Sequence, residues 1–275
     1  MTDDVIDVID AEGPIDEAAV AACWNDNAGR WAADVRAGYD LHRELYTFPA
    51  FLDFMPAIDG RRVIDLGCGE GHNTRRFARL GGRLTGIDLS AALIGLARAE
   101  EDRDPLGSRY AVASFTGLDG FADASFDVAL STMALMDSPD FAGAMREAWR
   151  VLAPGGLLCF SVLHPCFMTR GFAWLPGETG DYDALRVSEY FNREPFVERW
   201  GFSKAPEATS VAEPFAVPYF AYTLADYLNG VVAAGFRIVE IGEPPAPEAA
   251  AREHDWLVRW RRHAPLVLLV LAAKA

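Results

Sequence analysis

The stretch VIDLGCGEG, residues 63–71, decides the reading of this chain. Its apolar start suits a short strand covered on both faces. Gly67, Gly69 and Gly71 then follow, with Asp65 placed inside the apolar run. Glycines directly after a strand let the backbone turn tightly and let a large group approach it. The stretch therefore predicts a strand that ends at a ligand.

Outward from it, strand and helix signals alternate. RRVIDLG (61–67) reads as strand and HNTRRFARL (72–80) as a helix stopped by Gly81-Gly82. RLTGIDL (83–89) is strand, and Ser90 is placed to cap the helix 91–101. SRYAVASF (108–115) and SFDVALST (125–132) are further strands. Ser138-Pro139-Asp140 opens another helix, and GLLCFSVLHP is a fifth strand. Such alternation implies an α/β fold, a doubly wound parallel sheet with helices on both faces.

Upstream, residues 1–15 read as a loose acidic leader, followed by a helix whose Trp24, Ala28, Trp31 and Val35 form one stripe. Gly38 interrupts it before a second helical piece from about Tyr39 to Met55. After His164 the pattern breaks. Residues 165–222 are rich in aromatics, Pro and Gly without a helical period, as expected of a functional cap. Thr223 and Asp226 form a capping-box pattern, and strands at 236–243 and 265–275 close the chain. The segment between those two strands is too irregular to read as a crossover helix.

The formal net charge of −15 opposes a polyanionic partner, so no nucleic acid is expected. The longest apolar runs are too short to span a bilayer, and the acidic start lacks signal-peptide order. A soluble, cytoplasmic protein without a membrane partner is expected. Cysteines 23, 68, 159 and 166 show no metal-ligand spacing, so no metal is expected.

The glycine loop, with Asp88 nineteen residues after Gly69, suits a nucleoside whose ribose hydroxyls a carboxylate accepts. A dinucleotide fingerprint asks for G-x-G-x-x-G, whereas position 72 is His. Asp65 would repel a pyrophosphate and suits a cationic ligand instead.

VIDLGCGEG, LTGIDLS, SFDVALSTMAL and REAWRVLAPGGLLCFSV, in this order, resemble the motifs of class I S-adenosylmethionine-dependent methyltransferases. The likeness covers roughly residues 60–163, and 223–275 less specifically. It implies a seven-stranded, mostly parallel sheet in the order 3-2-1-4-5-7-6 with strand 7 antiparallel, and S-adenosylmethionine as cofactor. It places the methionine part over Gly67, Cys68 and Gly69 with Asp65 near its amine, the ribose at Asp88 and the adenine beside Leu89. The family's carboxylate for the adenine amine is replaced by Ser114, followed by Phe115. The chain then divides into an N-terminal helical lid (1–58), a cofactor-binding core (59–164 and 223–275) and an inserted substrate cap (165–222).

Methyl transfer is an in-line displacement, so the protein mainly positions reactants and excludes water. His164, at the end of the fifth strand, is the tentative catalytic base. Its plain alternative is a strand-end histidine bonded to backbone before Pro165. Cys166 is the weaker candidate. Trp31 is placed to cover the sulfonium, Tyr39 or Arg43 to reach the methionine carboxylate, and Met133, Leu135 and Met136 to line the pocket. For Trp24, core packing is the reading preferred. The cap aromatics favour a small, apolar or aromatic acceptor. An NAD-dependent oxidoreductase and a non-catalytic regulator that keeps the cofactor fold stay open as alternatives. The acceptor atom and the oligomeric state stay open as well.

Overall fold

The computed structural model describes residues 7–10, 13–178, 180–202, 204–205 and 214–275. Part of the acidic leader and part of the cap, including Glu207 and Glu213, lie outside these residues.

A seven-stranded sheet forms the centre. Its strands are β2 (Arg62–Leu66), β3 (Arg83–Asp88), β4 (Arg109–Val112), β5 (Phe126–Thr132), β6 (Leu152–Leu163), β11 (Phe236–Gly242) and β12 (Val267–Lys274). The order is β4-β3-β2-β5-β6-β12-β11. β12 runs antiparallel to both β6 and β11, and the other pairs are parallel. Numbered along the sheet this is 3-2-1-4-5-7-6, as the resemblance implied. The strand order reverses at β2/β5, where ligands of open parallel sheets bind beyond the carboxyl ends.

Two-residue alternation sorts the strand side chains onto two cores. Ile64, Ala129, Leu158, Phe160, Leu268 and Val270 face one side. There they meet α5 (Phe141–Val151) and α6 (Leu224–Ala233) through Phe141, Met145, Tyr227 and Val231. Val63, Val128, Leu130, Cys159, Val267 and Leu269 face the other. There they meet Tyr46, Phe48, Phe51, Phe77 and Trp260. Phe48 and Phe51 belong to α2 (Phe48–Phe54), so the end of the segment read as a lid is packed into the core itself. Each such ring contributes about 1.5–3 kcal/mol by burial.

The capping signals are realised. Ser90 Oγ accepts from Leu93 N at 3.1 Å to start α4 (Ala91–Arg103). Asp140 Oδ1 accepts from Gly143 N at 2.8 Å to start α5. Thr223 and Asp226 close a reciprocal box on α6.

Three features depart from the sequence reading. Within the leader, β1 (Asp7–Asp10) pairs antiparallel with β9 (Phe196–Trp200), which also pairs with β10 (Phe215–Tyr219). This three-stranded sheet takes one strand from the N-terminus and two from the 165–222 segment. Its acid-flanked alternation had read as coil because carboxylates are poor strand formers. The second helical piece is a π-turn at Arg43–Thr47 leading into α2. The irregular segment before β12 holds two short helices, α7 (Glu248–Glu253) and α8 (Asp255–Arg262). The remaining elements are α1 (Glu17–Arg36), α3 (His72–Arg79) and a hairpin of β7 (Ala173–Pro176) and β8 (Tyr182–Arg186). No helix among the described residues is long and apolar enough to cross a membrane.

Candidate active site

The glycine loop leaves β2 with Gly67 and Cys68 N–H donating to the Ile87 carbonyl at 2.9 Å. Gly67 has φ +76°, and a Cβ there would lie 2.4 Å from that of Ala134. That contact fixes the turn against the segment after β5. Gly69 has φ +58°, yet a Cβ there would meet nothing within 4 Å, because its open side faces a cavity. Backbone with no side chain beside an open cavity suits close approach of a large ligand.

Asp88 ends β3 beside the loop. Its Oδ2 accepts from Gly69 N at 2.9 Å and its Oδ1 from Ser90 N at 2.8 Å. Each oxygen keeps further acceptor capacity for a hydroxyl. Burial pushes its pKa up to about 6, with the two backbone donors opposing.

The cavity has a volume of about 510 Å³ and runs from this loop to the 165–222 segment. Trp31, Tyr39, Arg43, Gly67, Cys68, Gly69, Asp88, Leu89, Ser114, Phe115 and Met133 all line it. Met133 does so with φ +55°, a left-handed conformation held by hydrogen bonds from its N–H to Ser161 O and Oγ at 3.0 and 3.2 Å. Such strain in a non-glycine residue concentrates at functional sites. Met136 lines the cavity too, whereas Leu135 turns into the core. Trp24 does both, packing edge-on against Trp31 with centroids 5.0 Å apart while facing the cavity.

Asp65 does not line it. The carboxyl is 1% exposed behind the loop, and its Oδ2 accepts from Thr74 Oγ1 at 2.6 Å. Burial foremost, and then the neighbouring Asp88 and Glu70 charges, push its pKa up to about 7 against the Thr74 hydrogen bond. The carboxylate that fronts the cavity is Glu70. Trp31 Nε1 donates to its Oε2 at 3.1 Å, and Arg43 Nη1 stands 3.9 Å from its Oε1. Arg43 is held from the other side by Asp40 at 3.0 Å.

The serine at the end of the third sheet strand is not alone. Ser114 Oγ donates to Glu17 Oε1 at 2.7 Å, and Thr116 Oγ1 donates to the same oxygen. Glu17 comes from the first turn of α1 and lines the cavity, half-buried. A carboxylate is therefore present where the motif has a serine, brought from elsewhere in the chain.

His164 stands apart from the cavity lining. It is 1% exposed, its Nε2 lies 2.6 Å from Glu243 Oε1, and its Nδ1 accepts from Cys166 N at 3.2 Å. Burial lowers its pKa, with Glu243 opposing. The chain turns at Pro165, so the cavity is reached by Ser161 and Leu163 while the imidazole joins the two chain segments. Neither His164 nor Cys166, whose Sγ faces Tyr190, lines the cavity. All four cysteines are free, and no cluster of metal-ligating residues occurs among the described residues.

Two further carboxyls converge on the cavity beside Trp24. Asp137, in the short turn after β5, is 7% exposed, with Oδ1 buried and unpartnered. Glu198 projects from β9 on the face it shares with Phe196 and Trp200. Burial pushes Glu198 up to about 7. Burial first, and then the Glu198 charge, push Asp137 well above the carboxylate range, with Trp24 opposing. Glu17, Glu70, Asp137 and Glu198 had no signal in the sequence reading beyond being acids. The one available hint was the serine at 114, which left a position for a carboxylate vacant.

Residues 64–160 match the family model described as a methyltransferase domain. The malonyl-[acyl-carrier protein] O-methyltransferase of Enterobacter lignolyticus is 34% identical over 152 residues, covering 54% of this chain and 55% of that protein. The ubiquinone biosynthesis O-methyltransferase of Methylocella silvestris is 32% identical, covering 46% and 52% respectively. The chain spans about half the length of the curated relatives it matches. Among solved structures, an S-adenosylmethionine dependent methyltransferase from Mesorhizobium loti superposes with TM-score 0.67 at 28% identity, covering 82% of this chain and 96% of that one. A Burkholderia thailandensis 1,6-didemethyltoxoflavin-N1-methyltransferase, at 18% identity and TM-score 0.57 over 100% and 98% of the chains, shares the fold.

Proposed function

We propose that this chain is a class I S-adenosylmethionine-dependent methyltransferase and that it methylates a small, apolar or aromatic acceptor enclosed between the core and the 165–222 segment. One observation carries the reading. A single cavity joins the glycine loop and Asp88 to the aromatic face of the segment, through Trp174, Trp200 and Phe202. Its volume of about 510 Å³ falls within the range of small-molecule sites.

The residues present fit the cofactor. Gly69 leaves open space beside its backbone, Asp88 keeps acceptor sites for two hydroxyls, and Glu17 offers a carboxylate to the adenine amine. Leu89 and Phe115 are the apolar walls proposed for the base. Glu70, backed by the buried Asp65, faces the methionine amine, and Arg43 with Tyr39 serves the methionine carboxylate. When bound, S-adenosylmethionine supplies an electrophilic methyl group on a cationic sulfur. The chain's part is to hold both molecules in line and keep water out, and Trp24, Trp31 and Met133 are placed for this. We assign β1, α1 and the 165–222 segment jointly to the cover, because β1 and β9 hydrogen-bond into one sheet, whereas α2 belongs to the core.

Calorimetry with S-adenosylmethionine, S-adenosylhomocysteine and NADH tests the reading. Binding of the sulfonium pair is expected. Tight NADH binding without a response to that pair would favour an oxidoreductase, and cofactor binding without turnover on a broad acceptor panel a regulator.

A further inference from the structure

We propose that the acceptor carries a protonated or protonatable nitrogen, and that Asp137 and Glu198 receive it. This rests on the methyltransferase reading above and names the substrate class for the same cavity.

A pair of carboxyls facing one closed space is costly unless a cation compensates it. Here the two come from unrelated parts of the fold, the turn after β5 and the middle of β9. Asp137 Oδ1 is buried without a hydrogen-bond partner, and both side chains line the cavity. The other cavity carboxyls have a donor or a cation beside them, Glu70 Oε1, which has no hydrogen-bond partner, lying 3.9 Å from Arg43 Nη1. Glu17 accepts from Ser114, Glu70 from Trp31, and Asp88 from two backbone amides. Among the described residues, no arginine, lysine or histidine contributes to the electrostatics of Asp137 or Glu198. Their influential neighbours are Trp24, Asp88 and Tyr219, which add no positive charge. Arg43 is engaged by Asp40, and Arg259 lies over the rings of Trp174 and Tyr182. Burial holds Glu198 near pKa 7, so an arriving cation meets a group ready to ionise.

The surroundings suit an organic ammonium. Trp24, Trp200 and Tyr219 line the same space, and aromatic faces beside carboxylates attract a cationic nitrogen with an apolar body. A hydrated metal ion would need more oxygen ligands than these two carboxyls supply.

The test uses matched probes on the intact protein saturated with S-adenosylhomocysteine. Tryptamine and phenethylamine are compared with tryptophol and 2-phenylethanol by calorimetry. The amines should bind at least about tenfold tighter, the scale of one charge-assisted pair. Glu198→Gln, and separately Asp137→Asn, should erase that preference while leaving affinity for S-adenosylhomocysteine within about twofold. Equal or tighter binding of the alcohols to the unaltered protein overturns the proposal without any variant. So does a Glu198→Gln protein that keeps the amine preference. If the variants instead weaken S-adenosylmethionine but not S-adenosylhomocysteine, the pair serves the sulfonium and the proposal falls. Failure of both cofactor forms to bind the unaltered protein would overturn the underlying reading, a distinct result from normal cofactor binding with no amine preference.

Discussion

Replacing Glu17 by glutamine tests whether the adenine end of the site is completed by the N-terminal helix. The substitution keeps the side chain's size and one acceptor oxygen, so the hydrogen bonds from Ser114 and Thr116 survive in part. What disappears is the charge offered to an exocyclic amine. A hydrogen bond to a charged acceptor contributes about 1.5–3 kcal/mol. Glu17 is half-buried and already accepts two hydroxyls, so the lower end applies, a loss of about tenfold in affinity. The assay is titration calorimetry with S-adenosylhomocysteine and with S-inosylhomocysteine, which carries a carbonyl in place of the amine. The unaltered protein should prefer the adenosyl form, and Glu17→Gln should narrow or abolish that preference. An equal loss on both ligands would mean that Glu17 merely holds the helix. No loss on either, in a folded variant, would remove it from the site.

Other expectations follow from the same geometry. Asp88→Ala should weaken S-adenosylhomocysteine by about 2 kcal/mol or more, since ribose acceptors and the tie to Gly69 N go together; unchanged affinity in calorimetry would refute this. His164→Gln should cost about 1–3 kcal/mol in chemical denaturation, from the broken Glu243 and Cys166 bonds, with turnover kept; abolished turnover in a folded variant would restore its catalytic role. Asp65 and Asp88 bind protons more tightly folded, near pKa 7 and 6, than the ordinary 3.8. Their stabilisation is therefore full below about pH 4 and is lost as pH rises through 6 to 7, at up to about 1.4 kcal/mol per pH unit for each proton. Denaturation of the ligand-free protein should show that decline and Asp65→Asn should flatten it; identical slopes would count against the assignment.

The sheet was legible because its information is local. Alternation of Val63 with Ile64 and of Leu268 with Leu269 onto two cores is a short-range pattern, and the caps at Ser90, Asp140 and Thr223 follow from neighbouring residues. The loop glycines and Asp88 were legible because their spacing is itself the geometry. What escaped depends on long-range pairing. Nothing near Glu198 says that β9 will turn it towards Asp137, nor does anything near Glu17 announce Ser114. His164 misled because its place at the strand end suits a base. Its actual environment is set by Glu243, from a distant part of the chain.

Glu17, Trp24 and Trp31 fall on α1 at intervals of seven residues, or about 10.5 Å of rise each. One helix therefore touches Ser114 at one end, the neighbourhood of Asp137 in its middle and Glu70 towards the other. A stiff rod with three such footholds works like a latch bar, since no single foothold opens the cavity while the others stay engaged. Departure of a spent ligand then calls for the bar to lift as a body, a microsecond-to-millisecond event rather than a side-chain flip. Loosening any one foothold should therefore speed release of S-adenosylhomocysteine even as it weakens its binding, a difference that stopped-flow dissociation measures.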